Sequence, residues 1–169
     1  MGFFDKLFGG KAKDENTSKF TNQSKTVLTP LQGKVLAQAD IPDETFAQGI
    51  LGPGCGIEPT GDTVYAPFDG TVTQIATTLH AVGVTSNDGI ELLIHVGMDT
   101  VDMNGQGFTA LVKEGQKVTA GTPLLKVDLA AVRAAGHPTA TAIIVTDGGD
   151  DVKMLAEGDV QPGTPLFKV

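Results

Sequence analysis

The sequence predicts an all-β fold, a sandwich or a partly closed barrel, with only short helices. Three observations carry that prediction. Short apolar runs rich in Val and Thr are cut at close intervals by 22 glycines and 9 prolines, the punctuation of strands and turns. Two patterns also recur. V-x-x-P-x-x-G-x-V begins at Val27 and again at Val64, and a Glu-Gly pair leading to Gly-Thr-Pro-Leu begins at Glu114 and again at Glu157. Repeated strand–turn–strand units of this size indicate an internally duplicated β architecture. Third, the best helical stretch is short, around 128–135, rich in Ala and Leu and stopped by Gly136, His137 and Pro138.

Taken from the start, the chain divides at about residue 25. Phe3, Phe4, Leu7 and Phe8 fall within two helical turns, with Asp5, Lys6 and Lys11 between and after them. Residues 2–10 therefore read either as a small amphipathic anchor on a membrane surface, or as a frayed terminus or a start that docks on its own domain. Residues 11–25 are polar and without period, the composition of a flexible linker. Residues 26–169 form one domain, large enough to bury a core.

Composition narrows the function classes. The net charge of −8 argues against nucleic acid, whose phosphates need a basic surface. The single cysteine, Cys55, precludes an intramolecular disulfide and fits a reducing compartment. No apolar run reaches the ~20 residues needed to span a bilayer, and the first ten residues do not form a secretory signal. The expectation is a cytoplasmic monomer without a bound cofactor, with contact at the inner membrane face open through residues 2–10.

The stretch that carries chemistry runs from Thr78 to Gly97. Two β-rich runs flank Asn87, Asp88 and Gly89, a hairpin signal. With Asn87 and Asp88 as a two-residue loop, Ser86 pairs with Gly89, and counting outward 84 meets 91, 82 meets 93, and 80 meets 95. His80 and His95 then stand opposite each other, their Cβ atoms about 4.5–5.5 Å apart. A bulge at Gly89 would shift that register. Strand alternation places Ile90, Leu92, Ile94 and Val96 on a core face, and Thr78, His80, Val82, Leu93, His95 and Gly97 on the other. The competing reading is two unrelated histidines.

Two adjacent imidazoles suit phosphoryl transfer. A neutral imidazole is a nucleophile near pH 7 and forms a labile phosphoramidate, while a second donates a hydrogen bond to the phosphoryl oxygens. The attacking ring needs its other nitrogen held as a donor. The Thr78 hydroxyl for His80 and the Gly97 carbonyl for His95 are the candidate orienters, each two residues away.

These residues resemble a known family, the glucose-type enzyme IIA of the bacterial sugar phosphotransferase system. The resemblance covers about 26–169. It rests on Ile41, Pro42, Asp43 and Phe46, on Gly56 through Gly61, on Ala66-Pro67-x-Asp69-Gly70, on Thr78-x-His80-Ala81, and on the run from Gly89 through His95 to Val101. Glu114-Gly-Gln and the closing Gly163-Thr-Pro complete it. The phenylalanine-rich start also looks like the tail of freestanding members.

The resemblance implies an antiparallel β-sandwich, or barrel-sandwich hybrid, of two sheets. It implies that His95 accepts phosphate through Nε2 from the histidine-phosphorylated carrier HPr and passes it to a cysteine of an enzyme IIB domain. His80 would support the phosphoryl group, with Thr78 and Gly97 orienting the rings. Asp43 and Asp99 match acidic positions facing basic residues of HPr; on their own they read as solvated loop aspartates. Phe46, Ile50, Val82, Leu93 and Val96 match the apolar contact patch. Ala76, Val82 and Val96 are smaller than the aromatics some relatives carry there, which leaves the choice of partner open. Which sugar or permease is served is not written in the sequence.

Two rivals belong to other classes. A zinc hydrolase of lysostaphin-like type is similar in the order Ala-Pro-x-Asp-Gly-Thr-Val, histidines, Glu-Gly-Gln. With three histidines in the chain and no His-x-His, His80 and His95 leave zinc short of ligands, though adventitious zinc at the pair is compatible. A biotinyl or lipoyl carrier would display a lysine in a tight hairpin, yet Lys153 lacks the preceding methionine of a biotin site. Cys55 reads as core or loop filler, His137 as a loop residue, and 147–151 as a turn rather than a calcium loop.

Overall fold

The duplicated sequence is visible as a duplicated set of hydrogen bonds in the computed structural model, which describes residues 20–169. The strands are β1 (Thr26–Leu28), β2 (Gly33–Leu36), β3 (Gly54–Pro59), β4 (Thr63–Tyr65), β5 (Gly70–Ile75), β6 (Ala81–Ser86) and β7 (Glu91–His95). They continue with β8 (Phe108–Ala110), β9 (Lys117–Val118), β10 (Pro123–Val127), β11 (Thr141–Asp147), β12 (Lys153–Met154), β13 (Asp159–Val160) and β14 (Pro165–Lys168). Among the described residues the α-helices are short, α1 (Glu44–Ala47) and α2 (Leu129–Ala134).

Each V-x-x-P-x-x-G-x-V unit pairs twice with its own Gly-Thr-Pro-Leu unit. β1 pairs with β14 and β4 with β10, while Gly33 pairs with Val160 and Gly70 with Val118. The two units then cross-bond reciprocally: Leu28 N donates to Pro67 O (3.0 Å), and Tyr65 N donates to Pro30 O (2.8 Å). Those four residues occupy matching places in the repeat, so the fold carries an approximate internal two-fold.

All strand pairs are antiparallel. One large sheet runs β13-β2-β3-β11-β7-β6-β5-β9, and two small sheets run β1-β14-β12 and β4-β10-β8. The main core joins Ile57, Val72, Val84, Leu92, Ile94 and Ile143 of the large sheet to Leu124, Leu125, Leu166 and Phe167 of the small ones. Burying such aliphatic side chains contributes about 1.5–3 kcal/mol each. A second cluster lies on the other face of β7 and β11, where Ile41, Phe46 and Met98 cover Ala142, Ile144 and Leu93. That second cluster borders the histidines.

Two expectations are corrected. The loop between β6 and β7 has three residues, closed by Gly89 in left-handed backbone (φ 98°), with Ser86 N bonded to Ile90 O at 2.8 Å. A turn followed by a left-handed glycine is the usual three-residue hairpin solution. The register therefore sits one step away from the two-residue count: Ala81 opposes His95, Val82 opposes Ile94, and Val84 opposes Leu92. One step exchanges the faces of β6, so Val82 is core (1% exposed). Val96 is core (0%), where strand alternation placed it and not in the contact patch that the resemblance implied. Neither forms a docking surface.

Residues 20–25, which composition assigned to the linker, pack on the domain, and residues 11–19 lie outside the described residues. Phe20 packs in a small cluster with Leu28 and Ala120, its ring 5.6 Å from that of Tyr65. Asn22 Oδ1 accepts from Asp69 N (2.9 Å), and Lys25 N donates to Asp88 Oδ2 (2.8 Å). Residues 20–25 are thus fastened to the domain by an aromatic anchor and by hydrogen bonds, which a search for periodicity does not register. The amphipathic reading of residues 2–10 lies outside the described residues. Among the described residues no helix is long and apolar enough to cross a membrane.

Candidate functional site

His95 ends β7, in the interior of the large sheet, and both of its cross-strand neighbours are alanines. Ala81 opposes it on β6 and Ala142 on β11. Two methyl groups leave space above the sheet, and His80 and Phe46 fill it. The rings of His80 and His95 are 4.7 Å apart at 80°, and the rings of Phe46 and His95 are 4.9 Å apart at 54°.

The chain leaves β7 through a turn built to hold His95. Gly97 adopts left-handed backbone (φ 74°). A Cβ at that position would meet Thr100 Cγ2 at 2.5 Å and Pro138 O at 3.0 Å, so glycine is required both by conformation and by space. Its carbonyl accepts the hydrogen bond from His95 Nδ1 (2.9 Å). A carbonyl can only accept, so Nδ1 carries the proton and Nε2 keeps its lone pair. Thr100, fully buried, fastens the same turn by donating from Oγ1 to Val96 O (2.6 Å).

His80 lies one residue before β6, on the turn that follows β5. Its Nδ1 shares a hydrogen bond with Thr78 Oγ1 (2.7 Å), and its ring is nearly covered, with 7% of the residue exposed. Glu114 supports this end of the hairpin, its Oε2 accepting from Ile75 N (2.9 Å).

Both imidazoles are held below their ordinary pKa of 6.5. Burial is the larger cause for His80, followed by the charge of the neighbouring His95. For His95 burial again dominates, and the Gly97 carbonyl and the negative charges of Asp43 and Asp99 pull partway back. The pair is thereby kept neutral and nucleophilic near pH 7.

The acidic and apolar candidates divide. Asp43 caps α1, with Oδ1 accepting from Thr45 N (2.9 Å) and Phe46 N (3.4 Å), and the helix it caps delivers Phe46 to His95. Asp99 is exposed in left-handed backbone (φ 59°), next to the turn that holds His95. Ile50 is 67% exposed just beyond α1, whereas Leu93 is half-buried under the α1 cluster. His137 follows Gly136 at the end of α2.

Sequence reasoning missed three supports. Gln38 donates from Nε2 to Phe46 O and Gly52 O (both 2.9 Å) and accepts from Gly54 N (3.2 Å), pinning the α1 loop to β3. No pattern announces it. Ala81 and Thr100 stand inside the recognised strings Thr-x-His-Ala and His-x-Gly-x-Asp-Thr, where only their neighbours drew attention. Val101, two residues after Asp99, is 52% exposed.

Comparison with known proteins agrees with this geometry. The family model for the phosphoenolpyruvate-dependent sugar phosphotransferase system, EIIA 1, matches residues 25–150. The chain belongs to that family. It is 44% identical, over 85% of its length and 83% of the relative's, to the PTS system glucose-specific EIIA component of Halalkalibacterium halodurans (strain ATCC BAA-125 / DSM 18197 / FERM 7344 / JCM 9153 / C-125). The solved structure of glucose permease IIA from Mycoplasma capricolum superposes with a TM-score of 0.79 at 32% identity, covering 88% of this chain and 97% of that one.

A third relative, the PTS system glucose-specific EIICBA component of Staphylococcus carnosus (strain TM300), is 41% identical over 85% of this chain, which spans only 21% of that protein's length. An EIIA component of this system is a phosphotransferase component that carries phosphate on a histidine. The hydrolase reading lacks its ligand set: among the described residues no three or more His, Cys, Asp or Glu are grouped to hold a metal ion.

Proposed function

We propose that His95 is the phosphoryl-accepting residue of this EIIA component, that phospho-HPr is its donor, and that a cysteine of an enzyme IIB domain is its acceptor. The observation that carries this reading is the bond from His95 Nδ1 to Gly97 O, which leaves the Nε2 lone pair free to attack. In the first step the donor's P–N bond breaks as P–Nε2 forms. In the second, P–Nε2 breaks as a P–S bond forms on the acceptor thiolate. The Nδ1 proton stays in its bond to Gly97 throughout, so His95 needs no separate base.

His80 serves the second step. With Nδ1 accepting from the Thr78 hydroxyl, Nε2 bears a proton and donates to the phosphoryl oxygens, offsetting the charge that the neutral pair takes on. Asp43 and Asp99 draw a basic partner, Phe46 supplies apolar contact beside the rings, and Ile50, Leu93 and Val101 extend the apolar contact to the partner. Intact-protein mass spectrometry after incubation with phosphoenolpyruvate, enzyme I and HPr tests the reading. An acid-labile phosphoryl mass on wild type that is absent from His95→Gln supports it; an unmodified, folded wild type with cognate HPr refutes it.

A further inference from the structure

Strand pairing and ring position disagree at His80, and Leu79 lies where the disagreement is resolved. Val96 N donates to His80 O (2.8 Å), which continues the β6–β7 ladder by one step and sets His80 across from Val96. Val96 and Val82 both point into the main core. Regular alternation would send His80 the same way. Instead its ring is 4.7 Å from that of His95, on the opposite face, where Ala81 also lies as the direct partner of His95. His80 and Ala81 thus share a side, and alternation is broken once.

The residue immediately before the break is Leu79, in left-handed backbone (φ 64°). A bulky residue adopts that conformation only when its surroundings impose it. Here they do. Leu79 N donates to Ala76 O (2.8 Å), Ala76 N donates to Ala81 O (3.0 Å), and the Leu79 side chain packs on the main core. Leu79 therefore takes the core place that alternation assigns to His80.

We infer that Leu79 is a positioning residue for onward phosphoryl transfer: its left-handed backbone turns His80 out of the core face and onto His95. The inference rests on the proposed division of labour between His95 and His80. Asn tolerates left-handed backbone and Val does not, while Val keeps more of the apolar Leu packing than Asn does.

In the full-length protein, Leu79→Asn retains the nuclear Overhauser contact between the His80 and His95 rings and both half-reactions. Leu79→Val loses that contact, still accepts phosphate, and transfers it to enzyme IIB roughly tenfold or more slowly. A preserved ring contact in Leu79→Val, or equal impairment in the two variants, overturns the inference. Should Leu79→Val not fold, Leu79→Ala replaces it: transfer faster in Asn than in Ala supports the inference, and Ala equal to or faster than Asn overturns it. A wild type that takes no phosphate on His95 refutes the proposed function instead, and the ring contact alone then decides the role of Leu79.

Discussion

The ring of Phe46 stands 4.9 Å from that of His95, and it is held there from two sides. Asp43 caps the single turn of helix that carries it, and Gln38 bonds its backbone carbonyl. Four helical residues have little stability alone, so α1 exists because these contacts and the apolar cluster beneath it fix it. The same cluster removes water from one side of the imidazole. Packing and reactivity are therefore joined at one residue.

Truncating that ring separates the two effects. Phe46→Ala is expected to destabilise the domain by about 3 kcal/mol, as loss of a buried aromatic usually does, read as a lower urea midpoint. With less burial the His95 pKa rises toward its ordinary value, because burial is what chiefly lowers it. Proton NMR titration of the His95 ring reports this, and an unchanged value would mean that other neighbours do the shielding.

Asp43 combines a cap with a charge, and two substitutions part them. Asn caps helices about as well as Asp, so Asp43→Asn keeps thermal stability, whereas Asp43→Ala loses about 1 kcal/mol. Both remove the negative charge that favours protonated His95, so both move the His95 pKa further down. Weaker affinity for HPr and a flatter salt dependence in both variants, by titration calorimetry, would place the charge in recognition. Affinity lost only in Ala would place the cap there instead.

Much of this arrangement was legible in the residues. The duplicated strings marked β1–β2 and β4–β5, and the hairpin signal brought the two histidines together, because turn chemistry and repeats are local and written in order. Register was not legible: Gly89 serves a three-residue loop as readily as a two-residue one, and that single step moved Val82 from the rim to the core. The turn of helix around Phe46 escaped because four residues show no period. Phe20 escaped because one aromatic in a polar run gives no pattern, although it finds Tyr65 through the fold.

The Thr78 hydroxyl offers a narrower test. Thr78→Val keeps the shape of the side chain but leaves His80 Nδ1 without its partner 2.7 Å away. The ring is then free to carry its proton on either nitrogen. Acceptance of phosphate on His95 continues at the wild-type rate, while onward transfer falls by roughly ten- to a hundredfold. Thr78→Ser restores it. Rapid-quench measurement of the two half-reactions distinguishes this from a general loss of structure, which would slow both and leave Ser no better than Val.

Acidification acts on the same pair through folding. Both histidines are held below 6.5 in the folded protein, so as pH falls below 6.5 the unfolded chain takes up protons that the native site refuses. Stability is full above 6.5 and declines as pH drops toward the folded-state values. Asp88, whose carboxyl is held below 3.8 chiefly by the Ser86 hydroxyl, contributes stability that is lost only at still lower pH, so the two windows separate. Urea midpoints should therefore fall between pH 7 and pH 5 in wild type and change much less in a His80→Gln, His95→Gln double variant. An equal decline in both would assign the acid sensitivity to other groups.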